Sequence, residues 1–151
     1  MLYIFGDITP AVAGQAIKEL DDFGHSEIAI SSIGGDVGAG LALFDAIRRH
    51  KAKTIAYGSV MSIAFLVFQA GIERLAMPSS LFYVHNVAPV ISGVTPTSVK
   101  SATWVDIVLK RLVTGRSGME ESAYDQLVMS DEVFDANRAV ELNFADGIKG
   151  E

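Results

Sequence analysis

Short apolar runs alternate along this chain with segments whose apolar residues recur at helical spacing, and that alternation constrains the fold more than any other feature. Residues 2–5, 27–32, 53–57, 74–77 and 81–84 read as strands with few polar interruptions, the pattern of strands covered on both faces. Residues 10–22, opened by Pro10, read as a helix, as do residues 37–50, where Leu41, Phe44, Ala46 and Ile47 share a face. Residues 62–70 are apolar nearly all round, which predicts a buried helix stopped by Gly71. Repeated strand–helix–strand units call for right-handed crossovers and an α/β fold. No internal repeat or low-complexity linker divides the 151 residues, so a single domain over 1–151 is expected.

After Val84 the pattern changes. Residues 86–96 read as irregular or extended, and 97–113 as a long helix carrying Val99, Trp104, Val105, Ile107, Val108 and Leu112 on more than one face. Such a helix either protrudes and interdigitates with another subunit or folds back onto its own sheet, and periodicity favours neither. Ser117 with Glu120 makes a capping-box signature for a helix to about Val128. Asp135 is placed to cap a last helix, which Asn143 can end in a left-handed turn.

Half of the residues are hydrophobic and 20% are charged, too apolar a balance for a disordered chain and one that hints at surface reserved for subunit contacts. A net charge of −6 without any basic run argues against nucleic acid as a partner. Cysteine is absent, and no His and carboxylate cluster has metal-ligand spacing, so neither a metal nor another cofactor is expected. Met1-Leu-Tyr-Ile-Phe5 lacks a positive flank and is too short for a signal sequence. The longest apolar stretch, roughly 60–71, falls well below the ~18–20 residues that span a bilayer. A soluble, cytoplasmic protein without membrane association is expected.

Three segments carry chemistry. Ser32-Ile-Gly-Gly-Asp-Val-Gly-Ala-Gly40 lies between a strand and a helix, where paired glycines let backbone N–H groups approach an anion or oxyanion. Taken alone it is more often a tight turn in which Gly38 and Gly40 permit close packing. In Tyr57-Gly-Ser-Val-Met-Ser-Ile-Ala64, Ser62 stands at the mouth of the buried helix, and the N–H of Ile63 follows it. The bland reading is that Ser62 or Ser59 caps that helix. Leu81-Phe-Tyr-Val-His85 delivers a histidine from the end of a buried strand, the usual general base near neutral pH, although a lone histidine is more often structural. His25 and His50 lack such a strand.

Together these segments resemble the proteolytic subunit of Clp protease. The family's N-S-P-G-G-x-x-x-x-G is met by Ser31-Ser-Ile-Gly-Gly-Asp-Val-Gly-Ala-Gly40, and its G-x-A-A-S-M-G/A by Gly58-Ser-Val-Met-Ser-Ile-Ala64. Pro78-Ser-Ser-Leu-Phe-Tyr-Val-His85 meets the histidine segment, and Asp131-Glu-Val-Phe-Asp-Ala-Asn-Arg-Ala-Val-Glu-Leu-Asn-Phe-Ala-Asp146 the late acidic one. Four matches in order are far more specific than any one. The resemblance implies a serine endopeptidase in which His85 deprotonates Ser62, Asp131 orients the imidazole, and the N–H groups of Gly35 and Ile63 hold the oxyanion. It also implies a crotonase-like ββα superhelix with a protruding handle at about 86–118, and homo-oligomeric, stacked heptameric rings that enclose peptide or unfolded-protein substrates.

The departures shape the partner expectations. Set against the family pattern, residue 2 falls at the first core strand, so the N-terminal helix and axial pore loops are not expected to contribute. Glu27 and Ala29 stand where the family's strand carries aromatic residues that dock an AAA+ unfoldase, so docking in the usual way is not expected. Met129 and Ser130 replace an acidic–Arg pair that couples rings, and Asn86-Val-Ala-Pro-Val-Ile-Ser-Gly93 replaces a Gln-Pro and Gly-rich strand. Rival readings are a crotonase-like acyl-CoA enzyme using the same two N–H groups, a Ser–Lys dyad peptidase, and a catalytically silent subunit of a mixed ring.

Overall fold

The structure, a computed structural model, describes residues 1–86 and 96–150. The chain runs through β1 (Leu2–Phe5), α1 (Pro10–Phe23), β2 (Glu27–Ser32), α2 (Val37–His50), β3 (Lys53–Met61), α3 (Ile63–Gln69), β4 (Arg74–Ala76) and β5 (Leu81–Tyr83). It continues through α4 (Pro96–Ser117), α5 (Glu121–Ser130), β6 (Val133–Asp135), α6 (Ala136–Glu141) and β7 (Gly147–Ile148). Strands β1-β2-β3-β4-β7 form a parallel sheet, and β5 joins the far half of β3 in parallel while pairing β6 antiparallel. This is the α/β architecture that the alternation of strand and helix patterns predicts.

Each local choice follows from a few residues. Thr9 caps α1 by accepting the N–H of Val12, Pro10 occupies its first turn, and Gly24 ends it in a left-handed conformation. Asp36 caps α2 through the N–H of Ala39. Alternation along β1 sends Leu2 and Ile4 inward and leaves Tyr3 and Phe5 exposed. α1, α2 and α3 pack side by side and, with Ile28, Ile30, Leu43, Ile47 and Phe65, build one contiguous core.

Several sequence expectations need correction. The third strand does not stop at Tyr57. It continues to Met61, because Gly58, at φ 54°, absorbs a bulge across which the register changes from Ile30 opposite Ala56 to Ser32 opposite Val60. Ser117 is no capping-box residue: it is the last residue of α4, its hydroxyl donates to the carbonyl of Val113, and Glu120 occupies the cap position without a side-chain bond. The periodicity missed β6 and β7, which are too short to show a period. Asp135 does cap α6 through the N–H of Arg138, and Asn143, at φ 57°, is left-handed just beyond it.

α4 runs longer than the expected 97–113 and packs its C-terminal end against α3 and α5. Between Thr103 and Leu112 no residue is buried, and Trp104 is 64% exposed. The irregular stretch expected at 86–96 lies outside the described residues from 87 to 95. Among the described residues no helix is long and apolar enough to cross a membrane.

Candidate active site

The Gly-rich turn, the end of β3 and the end of β5 converge. Ser62 sits between β3 and α3 at φ 55° and ψ −130°, a conformation that costs a non-glycine residue on the order of 1–3 kcal/mol. It is held there from both sides. Its N–H donates to the carbonyl of Tyr83 at 2.9 Å, and its carbonyl accepts from Phe65 at 3.0 Å. The side chain caps nothing in α3, and Ser59 lies within β3, so neither serine acts as a helix cap.

Gly34 passes directly beneath Ser62: a Cβ there would stand 2.8 Å from the serine Cβ. Gly35 is just as constrained, since a Cβ would come within 2.3 Å of the Ile8 carbonyl oxygen. The bridge between Ile8 and Gly35 uses the N–H groups of Ile8 and Asp36 and the carbonyls of Gly34 and Ile8, leaving the N–H of Gly35 outside that ladder. Close packing at Gly40 is also real: a Cβ would overlap the Ile63 side chain at 2.1 Å. The turn therefore serves packing and the approach of backbone to Ser62 together.

His85 follows β5, half-buried, with Nε2 2.9 Å from the Ser62 hydroxyl oxygen. A hydroxyl and an imidazole at that distance can share a proton. Asp131 stands apart from this pair. It ends α5 in a left-handed conformation, φ 56° and ψ 34°, and its Oδ1 accepts the hydroxyl of Tyr83. Among the described residues no hydrogen bond or ion pair joins Asp131 to His85.

Sequence reasoning missed Tyr83. Its ring stacks on that of His85, with centroids 5.3 Å apart and planes 18° apart. The hydrogen bond to Asp131, aided by burial and by the carboxylate charge, holds its phenol above the usual tyrosine range. The available signal was its place two residues before His85, which puts both side chains on one face of the strand. Beside Ser62 and His85 lies an apolar cleft lined by Ile63, Leu66, Val84, Leu109, Val113 and Tyr124. Burial pushes the Tyr124 phenol up to about 12. Among the described residues no group of three or more His, Asp or Glu side chains could hold a metal.

A family model described as Clp protease matches residues 14–151. The chain belongs to the Clp protease family. Among curated relatives, the ATP-dependent Clp protease proteolytic subunit 2 of Treponema denticola is 31% identical over 128 residues, covering 80% of this chain and 64% of that protein. The ATP-dependent Clp protease proteolytic subunit of Ligilactobacillus salivarius is 25% identical over 98% of this chain and 82% of its own length. Among solved structures, a mutant ClpP1 from Listeria monocytogenes superposes with a TM-score of 0.87 at 22% identity, covering 99% of this chain and 91% of that one. The Clp protease fold, with its parallel sheet, is thus the fold of this chain.

Proposed function

We propose that this Clp protease family member is a serine endopeptidase that hydrolyses peptides and unfolded polypeptides inside an oligomeric ring. The observation that carries the reading is the 2.9 Å contact between Ser62 Oγ and His85 Nε2, made from a strained serine wedged over Gly34. His85 Nε2 takes the hydroxyl proton as Ser62 Oγ bonds to the scissile carbonyl carbon. The resulting oxyanion is held by the N–H groups of Gly35 and Ile63. The imidazolium then protonates the departing amine, leaving an acyl-serine that water hydrolyses by the same steps in reverse order. Asp131 is the carboxylate of this group, and it can support the imidazolium only once the Tyr83 hydroxyl, which it accepts in this structure, releases it.

Ring assembly is supported by the exposed Trp104 and Val108 on α4. Docking of an AAA+ unfoldase in the usual way is not part of this proposal. Glu27 lies 3.7 Å from Lys149, and Ala29 is fully buried, so neither offers an aromatic anchor.

The test is reaction of the purified chain with a serine-directed fluorophosphonate, with the labelled residue mapped. Ser62→Ala is expected to abolish labelling and peptide hydrolysis while the fold stays intact. Activity that survives Ser62→Ala and disappears in Ser59→Ala overturns the assignment. One observation favours a second reading, a catalytically silent subunit of a mixed ring: Asp131 is bonded to Tyr83 rather than to His85. An unlabelled wild-type chain would decide for it.

A further inference from the structure

We infer that Tyr83 is a positioning residue of this site: its hydroxyl holds the Asp131 carboxylate on the diagonal of the β5–β6 pair and keeps it off the imidazole of His85. The inference rests on the reading of Ser62, His85 and Asp131 as the catalytic group.

The strand register carries the argument. In the antiparallel pair Leu81 is opposite Asp135, Phe82 opposite Phe134 and Tyr83 opposite Val133. Phe82 and Phe134 are stacked in the core at 5.7 Å, while Leu81, Tyr83 and Val133 face outward. Continued two residues further, the same register would set His85 directly opposite Asp131, on that outward face. Directly opposite residues have Cβ atoms about 4.5–5.5 Å apart, close enough for a carboxylate to meet an imidazole. The ladder stops short of that pair, because β6 begins at Val133 and Asp131 is the left-handed end of α5. The continued register would make Tyr83 and Asp131 diagonal neighbours, a separation of about 7–8 Å that a tyrosine side chain spans, and the Tyr83 hydroxyl does reach Asp131 Oδ1. The phenol takes the carboxylate that the register offers to the histidine.

Tyr83 also touches the other two members. Its ring lies against His85, and its carbonyl accepts the N–H of Ser62. A phenol donates well to an ionised carboxylate, and it stays protonated to do so because that same bond raises its pKa. His85 Nδ1 has no partner among the described residues, so the imidazole works on Ser62 without carboxylate support while the hydroxyl is engaged. The titratable groups around His85 are Tyr83 on β5, Asp131 at the end of α5 and Tyr124 on α5. α4 presents Leu109 and Val113 to the same cleft. An adjoining cavity, sharing Tyr124, adds Asp106, Lys110 and Asp125, of which Lys110 and Asp125 are paired at 3.1 Å.

The experiment is an NMR titration of the His85 ring in the full chain with isotope-labelled histidine, assigned by its loss in His85→Gln. Tyr83→Phe keeps the stacked ring and removes the hydroxyl. It is expected to raise the His85 midpoint by about one pH unit, as a freed carboxylate pairs with the imidazolium. Asp131→Asn alone is expected to leave the midpoint where it is in the wild type, and Asp131→Asn added to Tyr83→Phe to cancel the rise. An unchanged or lowered midpoint in Tyr83→Phe overturns the inference. So does a fall of about one unit in Asp131→Asn alone, which would mean that the carboxylate already sits on His85. The titration needs no activity. If it behaves as expected while Ser62 takes no fluorophosphonate in any variant, the catalytic reading falls and the role of Tyr83 stands. If Ser62 is labelled and the midpoints do not move, the reverse holds.

Discussion

Helices α3 and α4 meet at one end and could hardly differ more. All seven residues of α3 are buried, whereas α4 spans 22 residues and, among its described side chains, buries Val113 and Ser117 near its C-terminal end. An isolated helix as short as α3 is unstable in water, so its order comes from tertiary packing. Phe65 makes edge contacts with Phe82, Phe134 and Phe144, the last at 5.0 Å. The C-terminal end of α3 is pinned by polar groups as well. Arg116 of α4 donates to the carbonyls of Gln69 and Gly71 at 2.9 and 2.6 Å, and buried Arg74 reaches the Gln69 side chain at 2.8 Å. The difference teaches a division of labour. The short helix is locked so that Ser62, at its entry, cannot drift, while the long helix carries its apolar surface outward.

That contrast breaks most visibly in the core. Phe65→Ala removes the ring on which three others lean and is expected to cost about 3–5 kcal/mol in a denaturant titration, with Ser62 labelling falling in step. A loss below about 1 kcal/mol would mean that α3 is not the rigid element described. Arg116→Ala, at the junction, strands two carbonyls that now receive charged donors. It is expected to cost about 1.5–3 kcal/mol of thermal or denaturant stability. Trp104→Ala, on the open part of α4, is expected to change the stability of the single chain by no more than about 0.5 kcal/mol. Its effect should appear in sedimentation, as a shift toward smaller species, if α4 is covered in an assembly. Unchanged sedimentation combined with a large loss of chain stability would reverse the comparison.

Much of this arrangement follows from local pattern. The strands β1, β2 and β5, Pro10 in the first turn of α1, the cap Asp135 and the nearly all-apolar α3 are properties of neighbouring residues, and these the local pattern predicts. Tyr3, Phe5 and Leu81, however, are exposed where strands covered on both faces were expected. The candidate site was less visible: residue order places Ser62 and His85 after strands, but only the resemblance to the Clp protease family singled them out from a helix cap and a structural histidine. What the sequence by itself determined is therefore the longer strands and helices and the two side chains that follow strands. The extension of β3 through Gly58, the existence of β6 and β7, and the capture of Asp131 by Tyr83, 48 residues away along the chain, were decided by tertiary structure. Periodicity is blind to them because strands of two or three residues exist through their partners, and a cross-strand contact is set by register, which depends on where two distant segments stop pairing.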